Sequence, residues 1–177
     1  MRDGLKTIVV MGMHRTATSM TARALHESGE VWMGHRLMLD ADGSEDGLYE
    51  HGPIVDLNAE ILWAAGGEWD QPPNPDRIMA AGAAFTGRIQ DVLGELEDEA
   101  INRGFRSVGF KDPRLCLTIE LWAPHLSNPQ YIAQFRDNRQ VAESLHARDG
   151  ISIEWGVRLA LEYNRRALTF LAATYAW

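Results

Sequence analysis

Thr7-Ile-Val-Val-Met-Gly-Met-His-Arg-Thr-Ala-Thr-Ser-Met-Thr-Ala-Arg-Ala-Leu25 is the stretch on which the reading of this chain turns. Thr7 to Met11 is an apolar run rich in β-branched residues, which suits a strand covered on both faces. Gly12 to Thr18 is a tight polar turn, and Gly12 lets the chain bend where a side chain would clash. A helix opens near Ser19. The turn ends in hydroxyls and backbone N–H groups at a helix N-terminus, a ready site for phosphate or sulfate. Arg15 adds a fixed charge with a planar fork of donors. The stretch predicts an anion-binding loop at the head of an α/β domain.

The rest of the composition bounds the partners. The 177 residues hold 17 Lys and Arg against 25 Asp and Glu, a net charge of −8. A general nucleic-acid binder would be basic, so nucleic acid is not an expected partner. Anion binding in so acidic a chain needs local cations, and Arg15, Lys111 and Arg136 are the candidates. The length suits one domain, 1–177, with a sizeable core. Cys116 is the single cysteine, which leaves no intrachain disulfide and fits a reducing, cytoplasmic compartment. No signal-peptide region precedes the first strand, and no apolar run is long enough to span a membrane. A cytoplasmic protein with no membrane partner is the expectation.

Taken in order, the chain alternates strands and helices. Ser19 to Ser28 reads as a helix with Met20, Ala24 and Leu25 toward the sheet, stopped by Gly29. Glu30 to Gly34 is a short extended piece. His35 to Gly52 is a polar loop across the mouth of a site. Pro53 begins a helix to about Ala65, with Ile54, Leu57, Ile61 and Leu62 at helical spacing. Glu68 to Pro75 is irregular. Asp76 to Arg103 is one long helix or two stacked ones, ending in an acidic face of Glu95, Glu97, Asp98 and Glu99 that reads as solvated. Ser107 to Phe110 is the second strand and Leu115 to Trp122 the next helix. Gln130 to Phe135 is the third strand. A helix over Val141 to Arg148 and a final one over Ile153 to Trp177 follow, the last with Leu159, Tyr163, Leu168 and Leu171 inward. Such alternation predicts a parallel, doubly wound sheet: an α/β fold of P-loop-like three-layer α/β/α type.

Two families of anion loop compete. Aligned on Gly12, the nucleoside-triphosphate loop G-x-x-x-x-G-K-[ST] finds Ala17 at its second glycine and Thr18 at its lysine. The cation that would reach the β- and γ-phosphates is missing, which weakens a small-molecule kinase. Gly12-Met-His-Arg-Thr-Ala-Thr-Ser19 instead resembles the G-x-H-R-S-G-T-S loop of sulfotransferases that use 3′-phosphoadenosine 5′-phosphosulfate (PAPS). The resemblance implies that His14, Arg15, Thr16, Ala17, Thr18 and Ser19 bind the 5′-phosphosulfate. Thr16 keeps the hydroxyl of the usual Ser. Ala17 replaces the usual Gly, and a Cβ there costs energy where φ is positive.

Two further segments resemble the same family. Arg136-Asp-Asn-Arg-Gln-Val-Ala-Glu-Ser144 is similar to its R-[DN]-P-x-x-x-x-x-S segment, with Asn138 for the proline. By that resemblance Arg136 and Ser144 bind the 3′-phosphate. Lys111-Asp-Pro-Arg114 resembles a K-D-P motif whose lysine lies by the transferred group, and Asp112 with Arg114 suits an ion pair that fixes the turn. Gly47-Leu-Tyr-Glu-His-Gly52 with Leu57-Asn58 resembles a G-x-x-E…L-N stretch of bacterial members. It makes Glu50 the first choice of general base and His51 the second. The implied activity is transfer of a sulfuryl group from PAPS to a hydroxyl or amine on a small molecule, carbohydrate or other acceptor. Cationic side chains do the work of a metal, so no metal is expected. The resemblance covers most of residues 6 to 150 and then runs out, as if the usual C-terminal part were missing. An inactive nucleotide-binding remnant is therefore an open alternative, and pairing with a second copy, or with a separately encoded remainder, would cover the apolar final helix.

Overall fold

A computed structural model describes residues 4–38 and 47–176. Its centre is a parallel sheet of three strands, β1 (Lys6–Met11), β2 (Ser107–Lys111) and β3 (Pro129–Ala133), in the order β2-β1-β3. The register sets Val10 beside Lys111 and Met11 beside Ala133. All three strands therefore deliver their following turns to one edge. The chain leaves β1 for β2 on one side and then crosses to β3 on the other. Ligands of open α/β sheets bind outside the carboxyl ends at such a reversal.

Alternation along β1 covers both faces of the sheet. Val9 and Met11 enter the large core, while Ile8 packs against the smaller cluster of Ala22, Val31 and Met33. Around the sheet run α1 (Thr18–Glu27), α2 (Gly52–Ala64), α3 (Pro75–Gly82), α4 (Thr86–Asn102), α5 (Leu115–Trp122), α6 (Asn138–Asp149) and α7 (Ile153–Thr174). The inward stripe of α2 is Ile54, Leu57, Ile61 and Leu62, as its spacing predicts. In α6 the Asp137 carboxylate caps the N–H groups of Arg139 and Gln140, and Gly150 ends the helix with φ 72°.

One buried polar network ties α2 to β2 and α5. Asn58 Nδ2 donates to Asp112 Oδ2 at 2.8 Å. Its Oδ1 accepts Thr118 Oγ1 at 2.8 Å and Trp122 Nε1 at 2.9 Å. Asp112 Oδ1 takes Arg114 Nη1 at 2.9 Å and the Arg114 N–H at 3.0 Å. The Asp112–Arg114 pair expected from the sequence is thus present. With every member bonded, the network holds the strand-end turn rigid rather than costing a desolvated group.

The structure departs from the sequence reading at several elements. Met20 is 68% exposed and Ala24 is exposed; α1 turns Thr18 and Ala22 inward with Leu25 beside them. The small pair Thr18 and Ala22 packs on the sheet, which leaves Met20 on the cleft side. Leu168 is 53% exposed, and Ala167 and Phe170 take the inward places on α7. Over residues 76–103 the second of the two expected arrangements holds: two helices, α3 and α4, joined by a 3₁₀ turn over Ala83–Phe85. The third strand stops at Ala133, short of the expected Phe135, and the Gln134 N–H donates to Met11 O at 2.9 Å as the last rung of the ladder. Glu30 to Gly34 forms a bridge only at Trp32, opposite Val108. The acidic end of α4 is a docking edge as well as a solvated face. Glu99 accepts Trp32 Nε1 at 3.1 Å and meets His35 at 2.6 Å, and Glu95 meets Arg36 at 2.5 Å. Within the expected mouth loop, residues 39–46 lie outside those described.

Candidate functional site

The turns after β1, β2 and β3 enclose a cleft of 410 Å³. Arg15, Arg23, Lys111, Arg136 and Arg148 line it, and among the described residues the one carboxylate in its wall is Glu50. A chain of net charge −8 thus gathers five cations at one sheet edge. Such a cleft focuses positive potential on whatever enters.

The first loop is built around two left-handed residues. Arg15 has φ 69° and Ala17 φ 68°. The Thr16 hydroxyl and N–H both turn back to Met13 O, at 2.7 and 3.3 Å, closing the turn. Thr16 is therefore buried structure and not part of the cleft wall, unlike Thr18 and Ser19. Ala17 is the residue before α1 and has no side chain to cap it. The Thr18 and Ser19 N–H groups precede any helical acceptor and stay open to an anion. Gly12 packs against the third turn, where a Cβ would stand 2.6 Å from Gln134 O.

The segments after β1 and β3 are bonded to each other. Arg15 Nε donates to Ser144 Oγ at 2.8 Å, and Arg136 Nη1 donates to Arg15 O at 3.1 Å. Residues more than 120 positions apart in sequence thus form one cationic corner. Ser144 acts there as the partner that steers Arg15. Arg136 also holds Gln140 Oε1 through Nε, at 3.1 Å.

On the other side of the loop lies a buried ion pair, Lys111 with Glu50. Lys111 Nζ also reaches Ser19 Oγ at 3.3 Å and Leu48 O at 3.4 Å. Glu50 is delivered by a backbone clip: Met38 N–H bonds Glu50 O, and Leu48 N–H bonds Met38 O, both at 2.9 Å. Burial pushes the Glu50 carboxyl above the usual carboxylate range, against the pull of Lys111. His51, the second choice of base, is buried away from the cleft wall against Gly34. Burial lowers it to about 4.

His14 packs its ring on Trp69, 4.5 Å between centroids, with Tyr163 at 6.3 Å. Burial and the surrounding cations hold it well below 6.5, so it is a neutral wall of the cleft. Its Nε2 has no hydrogen-bond partner among the described residues. Cys116 is buried and its thiol is pushed up to about 12 by burial, which leaves it inert. Sequence reasoning missed Arg23 and Arg148. Arg23 follows Ser19 by four residues, the spacing that puts two side chains on one helix face. Arg148, at the end of α6, carries no such signal. A larger cavity of 760 Å³ lies elsewhere, between residues 71–75 and α7. Its arginines are engaged by acids of α7, Arg165 and Arg166 with Glu162 and Arg158 with Glu154.

Two measurable consequences follow from these environments. Ala17→Gly is expected to raise unfolding stability by about 1 kcal/mol, because relief of left-handed strain exceeds the added unfolded-state entropy. Urea unfolding reads this directly, and an unchanged or lower midpoint would contradict the left-handed loop. His51 is neutral when folded but takes a proton near 6.5 when unfolded. Its share of stability is complete above pH 6.5 and is lost as pH falls toward 4, by about 2–3 kcal/mol. In His51→Gln the slope of stability against pH over that window should flatten; an unchanged slope would count against it.

Comparison with protein-family models, with curated proteins and with solved structures found no match to this chain.

Proposed function

We propose that this chain, as a P-loop-like three-layer α/β/α protein, transfers a sulfuryl group from PAPS to a hydroxyl or amine acceptor. The observation that carries the reading is the joining of the first loop to the third turn, through Arg15 on Ser144 and Arg136 on Arg15. The two segments that resemble the two phosphate-binding parts of one sulfotransferase family share one cleft. The donor set suits a phosphosulfate nucleotide: several guanidinium forks, open helix N–H groups and hydroxyls.

In this reading Arg15, Thr18, Ser19 and the open N–H groups hold the 5′-phosphosulfate. Arg136 uses its remaining donors on the 3′-phosphate, with Ser144 keeping Arg15 in place. The acceptor oxygen attacks sulfur while its proton passes to Glu50, whose raised affinity for protons suits a base. The bond from sulfur to the 5′-phosphate oxygen breaks, and adenosine 3′,5′-bisphosphate leaves. Lys111 and Arg15 stabilise charge on the sulfuryl and leaving oxygens. Lys111 sits between Ser19 and Glu50, so one ammonium orders both the loop and the base.

Thermal unfolding with added nucleotide tests this. Adenosine 3′,5′-bisphosphate should raise the melting temperature, since a ligand of the native state alone stabilises it. ATP with magnesium should do so far less. Stabilisation by ATP–magnesium and none by the bisphosphate would replace the reading with a kinase.

A further inference from the structure

Beside the anion cleft lies a second, smaller hollow of opposite character. It is a groove of 300 Å³ between α2 and the segment after it, lined by Glu60, Leu62, Trp63, Glu68, Trp69 and Arg114 among others. Trp63 is 75% exposed, the most exposed large apolar side chain among the described residues. Trp69 stands behind the cleft wall. Its indole carries His14 at 4.5 Å and the Arg148 guanidinium at 5.9 Å, and both residues line the cleft. Trp69 is therefore the partition between the two hollows.

The charges of the groove are unequal in freedom. Arg114 is turned to the buried Asp112. Glu60 is gripped by both terminal nitrogens of Arg88, which stands outside the groove. Glu68 has no ion-pair partner among the described residues. The groove thus offers two indoles and one unneutralised carboxylate, set in a mostly apolar wall. Indole faces attract cations electrostatically, most strongly a quaternary ammonium, which loses little hydration. A nearby carboxylate adds to that attraction, and a neutral or anionic ligand gains nothing from it.

We propose that this groove binds an organic cation, an ammonium group carried on an apolar body, separately from the anion in the cleft. The proposal does not depend on sulfuryl transfer. It is tested on the full chain by isothermal titration with choline and with its neutral carbon isostere, in which a tert-butyl group replaces trimethylammonium. Choline should bind about tenfold more tightly than the isostere. Trp63→Ala and Glu68→Gln should each weaken choline by about fivefold or more, and Trp63→Phe by less. Both positions are exposed, so the variants should fold. Adenosine 3′,5′-bisphosphate should bind these variants as it binds the parent, which separates this site from the cleft. Equal affinity for choline and the isostere, no choline binding, or choline binding unchanged in Trp63→Ala would each overturn the proposal.

Discussion

Lys111→Met is expected to destabilise the protein by about 3–5 kcal/mol. Lys111 and Glu50 are both buried, with side-chain exposures of 2% and 7%. Removal of the ammonium leaves a carboxylate in a poor dielectric with no cation bonded to it. Burial already raises the Glu50 carboxyl above its ordinary 4.5 against the pull of Lys111; without that pull it rises further. A carboxyl raised in the folded state contributes stability that is present below its unfolded value and lost as pH climbs. The variant should therefore be closest to the parent below pH 4.5 and fall away above it. Lys111→Met/Glu50→Gln should recover most of the loss, because a neutral pair of similar volume removes the orphaned charge. Urea unfolding of the parent, both single variants and the double variant gives the coupling energy. A Lys111→Met protein as stable as the parent at neutral pH would show that the pair does not form.

Gly12→Ala should cost about 2–3 kcal/mol and abolish nucleotide binding. A Cβ at Gly12 would stand 2.6 Å from Gln134 O and 2.8 Å from Thr16 Oγ1. Neither neighbour can move cheaply. Gln134 is tied through its own N–H to Met11 O at 2.9 Å, and Thr16 through its hydroxyl to Met13 O at 2.7 Å. The collision therefore pushes the first turn away from the third, and the Arg15–Ser144 and Arg136–Arg15 contacts separate. The loss should appear in two readings at once: a lower unfolding midpoint and no stabilisation by adenosine 3′,5′-bisphosphate. A variant that keeps both would mean that the two turns are not in contact.

Much of the fold was legible because its signals are local. The β-branched run before Gly12, the apolar spacing of α2 and the glycine after α6 each act within a few residues. Lys111 and Arg136 could be placed at strand ends for the same reason. What stayed hidden depends on distance in sequence. Nothing local says that Ser144 orients Arg15, that Glu50 pairs with Lys111, or that the acidic end of α4 receives Trp32, His35 and Arg36. Met20 was misplaced because two i, i+4 pairs, Met20 with Ala24 and Thr18 with Ala22, each mark a possible inward face, and the smaller pair packs on the sheet. Leu168 failed for a related reason. Along α7 both sides of the stripe carry apolar residues, so periodicity alone does not choose between Leu168 and its neighbours Ala167 and Phe170.

In the proposed reading Arg136, docked on the first loop, reads a 3′-phosphate in the cleft. Calorimetric titration of adenosine 3′,5′-bisphosphate against adenosine 5′-diphosphate, into the parent and into Arg136→Ala, tests it most directly. A bidentate guanidinium–phosphate contact is a strong charged hydrogen bond. The parent should prefer the bisphosphate by about tenfold or more, and Arg136→Ala should lose that preference while still folding, since Arg136 is exposed. Equal binding of the two nucleotides by the parent, or an undiminished preference in Arg136→Ala, would mean that Arg136 does not read the 3′-phosphate.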